Sequence, residues 1–95
     1  MAAYLHATLE ITDAALYEQY RAAVPALIAR YGGRYLVRGG AVQVLEGGAA
    51  AARQVILEFP DMAALQAWYR SADYAPLIAL RQRAARGTLV AIEGV

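Results

Sequence analysis

The sequence predicts an α+β fold, an antiparallel sheet with helices on one face. Three observations predict it. Segments near both ends and in the middle alternate polar and apolar residues with period two, as half-buried strands do. Between them, apolar residues recur at helical spacing. The resulting order, β-α-β-β-α-β, is the split βαβ arrangement.

Tyr4 to Ile11 alternates throughout. Leu5, Ala7, Leu9 and Ile11 form one apolar set, with Tyr4, His6, Thr8 and Glu10 opposite, so the segment predicts a strand. Asp13 is placed to cap the following helix, in which Leu16, Tyr20, Val24, Leu27, Ile28 and Tyr31 share a stripe. Pro25 lies inside that stripe and removes a backbone donor, so a kink or break is expected there. Gly32-Gly33 stops the helix.

Arg34 to Arg38 reads as a second strand, and Gly39-Gly40 as a bulge or tight turn, with Ala41 to Glu46 continuing extended. Gly47 to Ala52 is a small-residue loop and the expected mobile piece. Arg53 to Phe59 is a β-rich strand ended by Pro60. Asp61 caps a short helix with Met62, Leu65, Trp68 and Tyr69 on one side. Ser71 caps the next, with Asp73 in its first turn and Tyr74, Leu77, Ile78 and Leu80 along it. Gly87 is expected to end that helix, and Thr88 to Glu93 forms the last strand. This is a ferredoxin-like arrangement, a single domain over residues 1–95.

A two-layer fold leaves one sheet face bare. Leu5, Ala7, Leu9 and Ile11, with Val55, Leu57 and Phe59, should pack on the helices. Alternation sends Tyr4, His6, Thr8 and Glu10, with Gln54, Ile56 and Glu58, to the open face. If Tyr35 and Val37 face the helices, Arg34, Leu36 and Arg38 join the open face. Leu89, Ala91 and Glu93 are placed there too. The mixture of bulky apolar groups with Arg, Glu and His suits a half-enclosed cavity.

Composition narrows the function classes. The hydrophobic fraction is 60%, including seven tyrosines. That exceeds the roughly 45–50% of soluble domains. One thin core does not need so much apolar surface, and a second buried face in an oligomer would use it. All nine basic residues are Arg, scattered without a basic run, and net charge is +1, so no nucleic-acid partner is expected. Absence of Cys removes thiol catalysis, disulfides and Cys-zinc sites. No signal peptide or membrane span is expected, so the location expected is the cytoplasm.

Several phrases together resemble one family. They are DAALYEQYRAAVP from Asp13, YGGRYLVRGG from Tyr31, VLEG from Val44, LEFP from Leu57, AWYRSADY from Ala67 and the closing EGV. The chain resembles the DUF1330 family of small bacterial proteins, within the dimeric α/β-barrel superfamily. Pro76 departs from the pattern, standing where a helix former is expected. The resemblance implies a homodimer whose two sheets form a barrel-like core. It implies no established reaction, since relatives by fold include cofactor-independent monooxygenases, isomerases and haem-dependent members.

The candidate site residues are Tyr4, His6, Arg34, Arg38, Glu58, Trp68 and Tyr69. His6 is the sole histidine, and it reads as a general base or polar anchor for a small organic acid or phenol, or as a hydrogen-bonded interface residue. Arg34 and Arg38, four apart on a strand, are expected to share a face. They suit either a carboxylate ligand or ion pairs with Glu10 and Glu58. Trp68 and Tyr69 read as helix packing or as the mouth of a cavity. One histidine with scattered carboxylates is no metal motif, and no cofactor is expected.

Three functions remain open on these residues. The first is a homodimer that binds a small organic ligand on the open sheet face. The second is a cofactor-independent monooxygenase or isomerase of small aromatic or enolisable substrates, with His6 as base and Arg38 or Tyr4 stabilising the anion. The third is a purely structural dimerisation module.

Overall fold

The computed structural model describes residues 1–48 and 52–95 and has the predicted element order. The elements are β1 (Ala3–Ile11), α1 (Ala14–Arg30), β2 (Arg34–Arg38), β3 (Arg53–Phe59), α2 (Met62–Tyr69), α3 (Ala75–Ala84) and β4 (Ala85–Glu93). The four strands form one antiparallel sheet in the order β2-β3-β1-β4. Part of the predicted mobile loop, residues 49–51, lies outside the described residues.

The helices pack on one face because both layers carry an apolar set in register. Leu5, Ala7 and Leu9 of β1 stand beside Leu57, Val55 and Arg53 of β3. Leu5, Ala7, Leu9, Val55, Leu57 and Phe59 are buried with Tyr17, Tyr20, Val24, Leu27 and Ile28 of α1 and Leu65 and Trp68 of α2. Each large side chain so buried contributes about 1.5–3 kcal/mol. Phe59, Trp68 and Tyr74 stack in sequence, with ring centroids 5.3 Å and 4.3 Å apart.

Local signals set the helix ends. Asp13 Oδ1 accepts the Leu16 N–H at 3.1 Å, and Asp61 Oδ1 accepts that of Ala64 at 2.8 Å. Both are N-caps as predicted. Gly32, at φ +81°, takes the left-handed conformation that stops α1. Ser71 caps a turn ahead of α3: its Oγ accepts the Tyr74 N–H, and the helix itself starts at Ala75. Pro76 falls in the first turn of α3, where a missing N–H costs nothing, so the departure is harmless.

Five expectations are corrected. Pro25 does not break α1, which runs through it from Ala14 to Arg30. The carbonyl that Pro25 cannot serve is that of Arg21, and Arg38 Nη2 donates to it instead at 2.9 Å. Residues 41–46 form no strand. Gly87 does not end a helix: α3 stops at Ala84, and Gly87 lies within β4. A Cβ there would stand 1.8 Å from the Thr8 carbonyl oxygen, so the close approach of two strands requires glycine.

The last two corrections concern facing. β2 carries its irregularity between Tyr35 and Val37, earlier than Gly39-Gly40. Arg34 pairs with Glu58 and Tyr35 with Leu57, then Val37 with Ile56 and Arg38 with Val55. The extra residue, Leu36, reverses the alternation. Arg34 therefore stays on the open face while Arg38 turns to the helix side. In β4, Leu89 and Ala91 lie opposite Ala7 and Leu5, and Glu93 opposite Ala3. These three belong to the helix side, and Thr88, Val90 and Ile92 occupy the open face.

Candidate functional site

The two faces of the sheet divide the candidate residues. Tyr4, His6, Arg34 and Glu58 lie on the open face. Arg34 Nε donates to Glu58 Oε1 at 2.7 Å, forming one of the expected internal ion pairs. Glu10 pairs instead with Arg86 at 3.1 Å. His6 Nε2 lies 2.7 Å from Gln54 Oε1, and Thr8 Oγ1 donates to the same oxygen at 3.2 Å. With Oε1 accepting, Nε2 carries the proton and Nδ1 is left to accept. Around this polar line stand Val37, Val90 and Ile92, exposed by 36%, 46% and 49%.

Trp68, Tyr69 and Arg38 lie on the helix side. Trp68 is 1% exposed, and Tyr69 packs edge-on against it at 6.1 Å. Between the sheet and the helices is a cavity of about 30 Å³. Its walls are apolar at Leu5, Ala7, Val24 and Val55, and aromatic at Tyr17, Tyr20, Tyr35 and Trp68. Arg21, Arg38, Arg53 and Arg81 also reach it, and no carboxylate lines it.

At the inner end, Tyr20 and Tyr74 share a hydrogen bond between their hydroxyls at 2.7 Å, and Arg81 Nη1 donates to Tyr74 Oη at 2.9 Å. Arg81 is 6% exposed, the one charged side chain buried among the described residues. Burial pushes the Tyr20 phenol far above its ordinary value, and Tyr74 reinforces this. Burial also raises Tyr74, against the pull of Arg81. Both phenols are therefore neutral near pH 7 and leave the guanidinium charge uncompensated. Trp68 Nε1 is buried without a hydrogen-bond partner.

At the outer end, two arginines are held by aromatic faces. Arg38 lies over the Tyr35 ring at 4.7 Å, and Arg53 over Tyr17 at 5.3 Å. Arg53 Nε also donates to Tyr17 Oη at 3.1 Å. Tyr35 is pushed up to about 12, chiefly by burial. The enclosure thus has a polar inner end, an apolar middle and a cationic rim.

Sequence reasoning named Arg38 and Trp68 of this group, Arg38 for the opposite face, and missed Arg81, Arg53, Tyr17, Tyr20 and Tyr35 as a set. One signal was available. Tyr74, Leu77, Ile78 and Arg81 follow i, i+3, i+4, i+7 spacing, so Arg81 stands on the apolar stripe of α3. A charge in a core position asks for a reason. Among the described residues, no three His, Asp or Glu side chains are grouped to hold a metal ion. No helix among them is long and apolar enough to cross a membrane.

Similar folds occur in solved structures. A protein of unknown function from Rhodopseudomonas palustris superposes with a TM-score of 0.80 at 20% identity, covering 99% of this chain and 82% of that one. SnoaB, a cofactor-independent oxygenase from Streptomyces nogalater, gives 0.66 at 12% identity, with 99% and 93% covered. A protein from Thermobifida fusca described as a dimeric ferredoxin-like protein of unknown function gives 0.65 at 17%, with 99% and 92% covered. At these identities the likeness is one of ferredoxin-like fold. No curated protein matches the chain. The profile of DUF1330, a domain of unknown function, matches residues 2–95, and the chain belongs to that family.

Proposed function

We propose that this protein binds a small organic ligand in the cavity between the sheet and the helices. The observation that carries the reading is the cavity itself, a partly enclosed apolar and aromatic space with Tyr20 and Arg81 at its inner end. Ligand sites have this character, with a few placed polar groups in an apolar surround. The free space is small, so a larger body enters only if the long side chains of Arg38 and Arg53 at the rim shift. A second copy of the chain packs on the open sheet face, burying Val37, Val90 and Ile92. The dimeric description of the Thermobifida neighbour supports a dimer, and the exposed apolar groups of the open face supply the surface for it.

A library of small aromatic and aliphatic acids, phenols and amides tests the binding reading by thermal shift. Compounds that bind the folded state raise Tm in proportion to the logarithm of their concentration. Ala7→Val, which adds two carbons to the cavity wall, is expected to abolish those shifts while the protein remains folded. Shifts that survive this substitution would put the site elsewhere, and no shift at all would end the reading.

An enzymatic form of the same reading is an oxygenase or isomerase acting without a cofactor. The convergence of Arg81, Tyr74 and Tyr20 favours it, because donors fixed in a low-dielectric site stabilise an anion formed on a substrate. The likeness to SnoaB, an oxygenase, supports it at the level of fold. His6 lies across the sheet from this cavity, so turnover there is expected to survive His6→Ala. Oxygen consumption with phenolic substrates, in wild type and this variant, is the measurement.

A further inference from the structure

The arginines distribute unevenly between partners and the cavity. Arg21, Arg30, Arg34 and Arg86 form ion pairs with Glu18, Asp73, Glu58 and Glu10. Among the described residues the other five, Arg38, Arg53, Arg70, Arg81 and Arg83, form no ion pair, although the Glu18 carboxylate acts on Arg38 and Arg53 from a distance. Three of these five line the cavity between α1 and the sheet.

Arg81 is the most demanding of them. Burying a guanidinium costs several kcal/mol unless an opposite charge offsets it. Its one side-chain hydrogen bond goes to a phenol, which is neutral and cannot offset it. The Trp68 ring stacks on Tyr74, the residue that accepts from Arg81, and its own buried indole N–H lacks an acceptor. Both groups are donors, both belong to residues that line the same space, and neither has an acceptor of negative charge. A buried cation without a charged partner and a buried N–H without an acceptor are both completed by an anion.

Resting on the reading that this cavity is the binding site, we propose that its ligand is a small organic carboxylate whose anionic group meets Arg81 at the inner end. The planar guanidinium fork matches the two oxygens of a carboxylate, and Trp68 Nε1 supplies a further donor. The carbon body lies against the apolar and aromatic walls, beneath Arg38 and Arg53. The rim arginines have a separate effect: they draw anions toward the mouth, a contribution that weakens as salt rises. Arg38 is positioned for this by the proline of α1, since it bonds to the carbonyl that Pro25 leaves free.

Trp68 is the sole tryptophan, so its indole N–H gives one unambiguous signal in a ¹H–¹⁵N spectrum. Two matched pairs of probes are titrated at pH 7: acetate against acetamide, and benzoate against benzamide. The expected result is a saturable shift of that signal by a carboxylate, at least about tenfold tighter than by its amide. Arg81→Met is expected to lose the carboxylate preference while binding the amide as before. It should also stay folded, because an apolar chain of similar length removes a buried charge that had no partner. Equal binding of acid and amide by the wild type would overturn the carboxylate proposal and leave the cavity reading standing. No shift with any of the four probes would overturn both. The wild-type comparison decides the matter even if Arg81→Met does not fold.

Discussion

Gly87 shows how one missing atom fixes a strand contact. It pairs with Leu9 across the β1–β4 ladder, and an added Cβ would meet the Thr8 carbonyl oxygen at 1.8 Å. Because the clash is with backbone, no side-chain rotation relieves it. Gly87→Ala is therefore expected to destabilise by more than about 1 kcal/mol. At this chain length that corresponds to a fall in Tm of more than about 4 °C. Gly40 is the control, since nothing stands within 4 Å of a Cβ there. Calorimetry that finds the two alanine variants equally stable would refute the account. The residue scale is also where sequence reading was least complete. Asp13 and Asp61 announced their caps by residue type and position. Gly87 gave only the ambiguous signal of a lone glycine between a helix and a strand, which reads equally well as a stop.

Elements were legible where one face is apolar and the other polar. β1 and β3 satisfy that condition, and their inner sets are as expected: Leu5, Ala7 and Leu9, with Val55, Leu57 and Phe59. β4 does not, because Leu89, Val90, Ala91 and Ile92 are apolar in both phases, so periodicity cannot choose between them. β2 fails for a different reason. Leu36 is inserted into an apolar run and leaves no compositional trace, yet it sends Arg38 to the opposite face from Arg34. The helix–strand link that follows was readable only in three dimensions. Pro25 frees the Arg21 carbonyl, and Arg38 takes it at 2.9 Å. Pro25→Ala restores a donor to α1, and that donor competes with Arg38 for the same oxygen. We expect the helix to gain stability, since proline costs about 3 kcal/mol in a helix interior relative to alanine. Part of the gain is offset by the lost Arg38 contact and by greater freedom of the unfolded chain. The rim should loosen at the same time, with weaker dependence of anion binding on Arg38. Denaturant unfolding together with a double substitution, Pro25→Ala with Arg38→Gln, checks this. If the two changes add without coupling, the proline and the arginine are not linked as described.

At the scale of the molecule, three of the apolar side chains left exposed by the helix-side core, Val37, Val90 and Ile92, stand on the other face of the sheet. Val90 and Ile92 stand on β4 opposite His6 and Tyr4 of β1, half exposed to solvent in one chain. Their neighbours His6, Thr8 and Gln54 already satisfy one another through the Gln54 amide oxygen, so the polar part of the face is suited to enclosure. Both properties follow if a second copy covers the face. They also explain why β4 is apolar in both phases, since each of its faces then meets a packed layer. Light scattering of the wild type is expected to give twice the chain mass of 10.2 kDa. Val90→Glu with Ile92→Glu places four new carboxylates in the interface of a twofold pair, where each would be desolvated beside like charges. The variant should fall to 10.2 kDa while keeping its helix content, because neither residue touches the helix-side core. Carboxylate binding should persist in that monomer, since the cavity lies on the helix side of the sheet and Val90 and Ile92 on the other. A wild type that is already monomeric, or a variant that stays dimeric, would refute the interface. A monomer that folds but no longer binds would show instead that the partner contributes to the site.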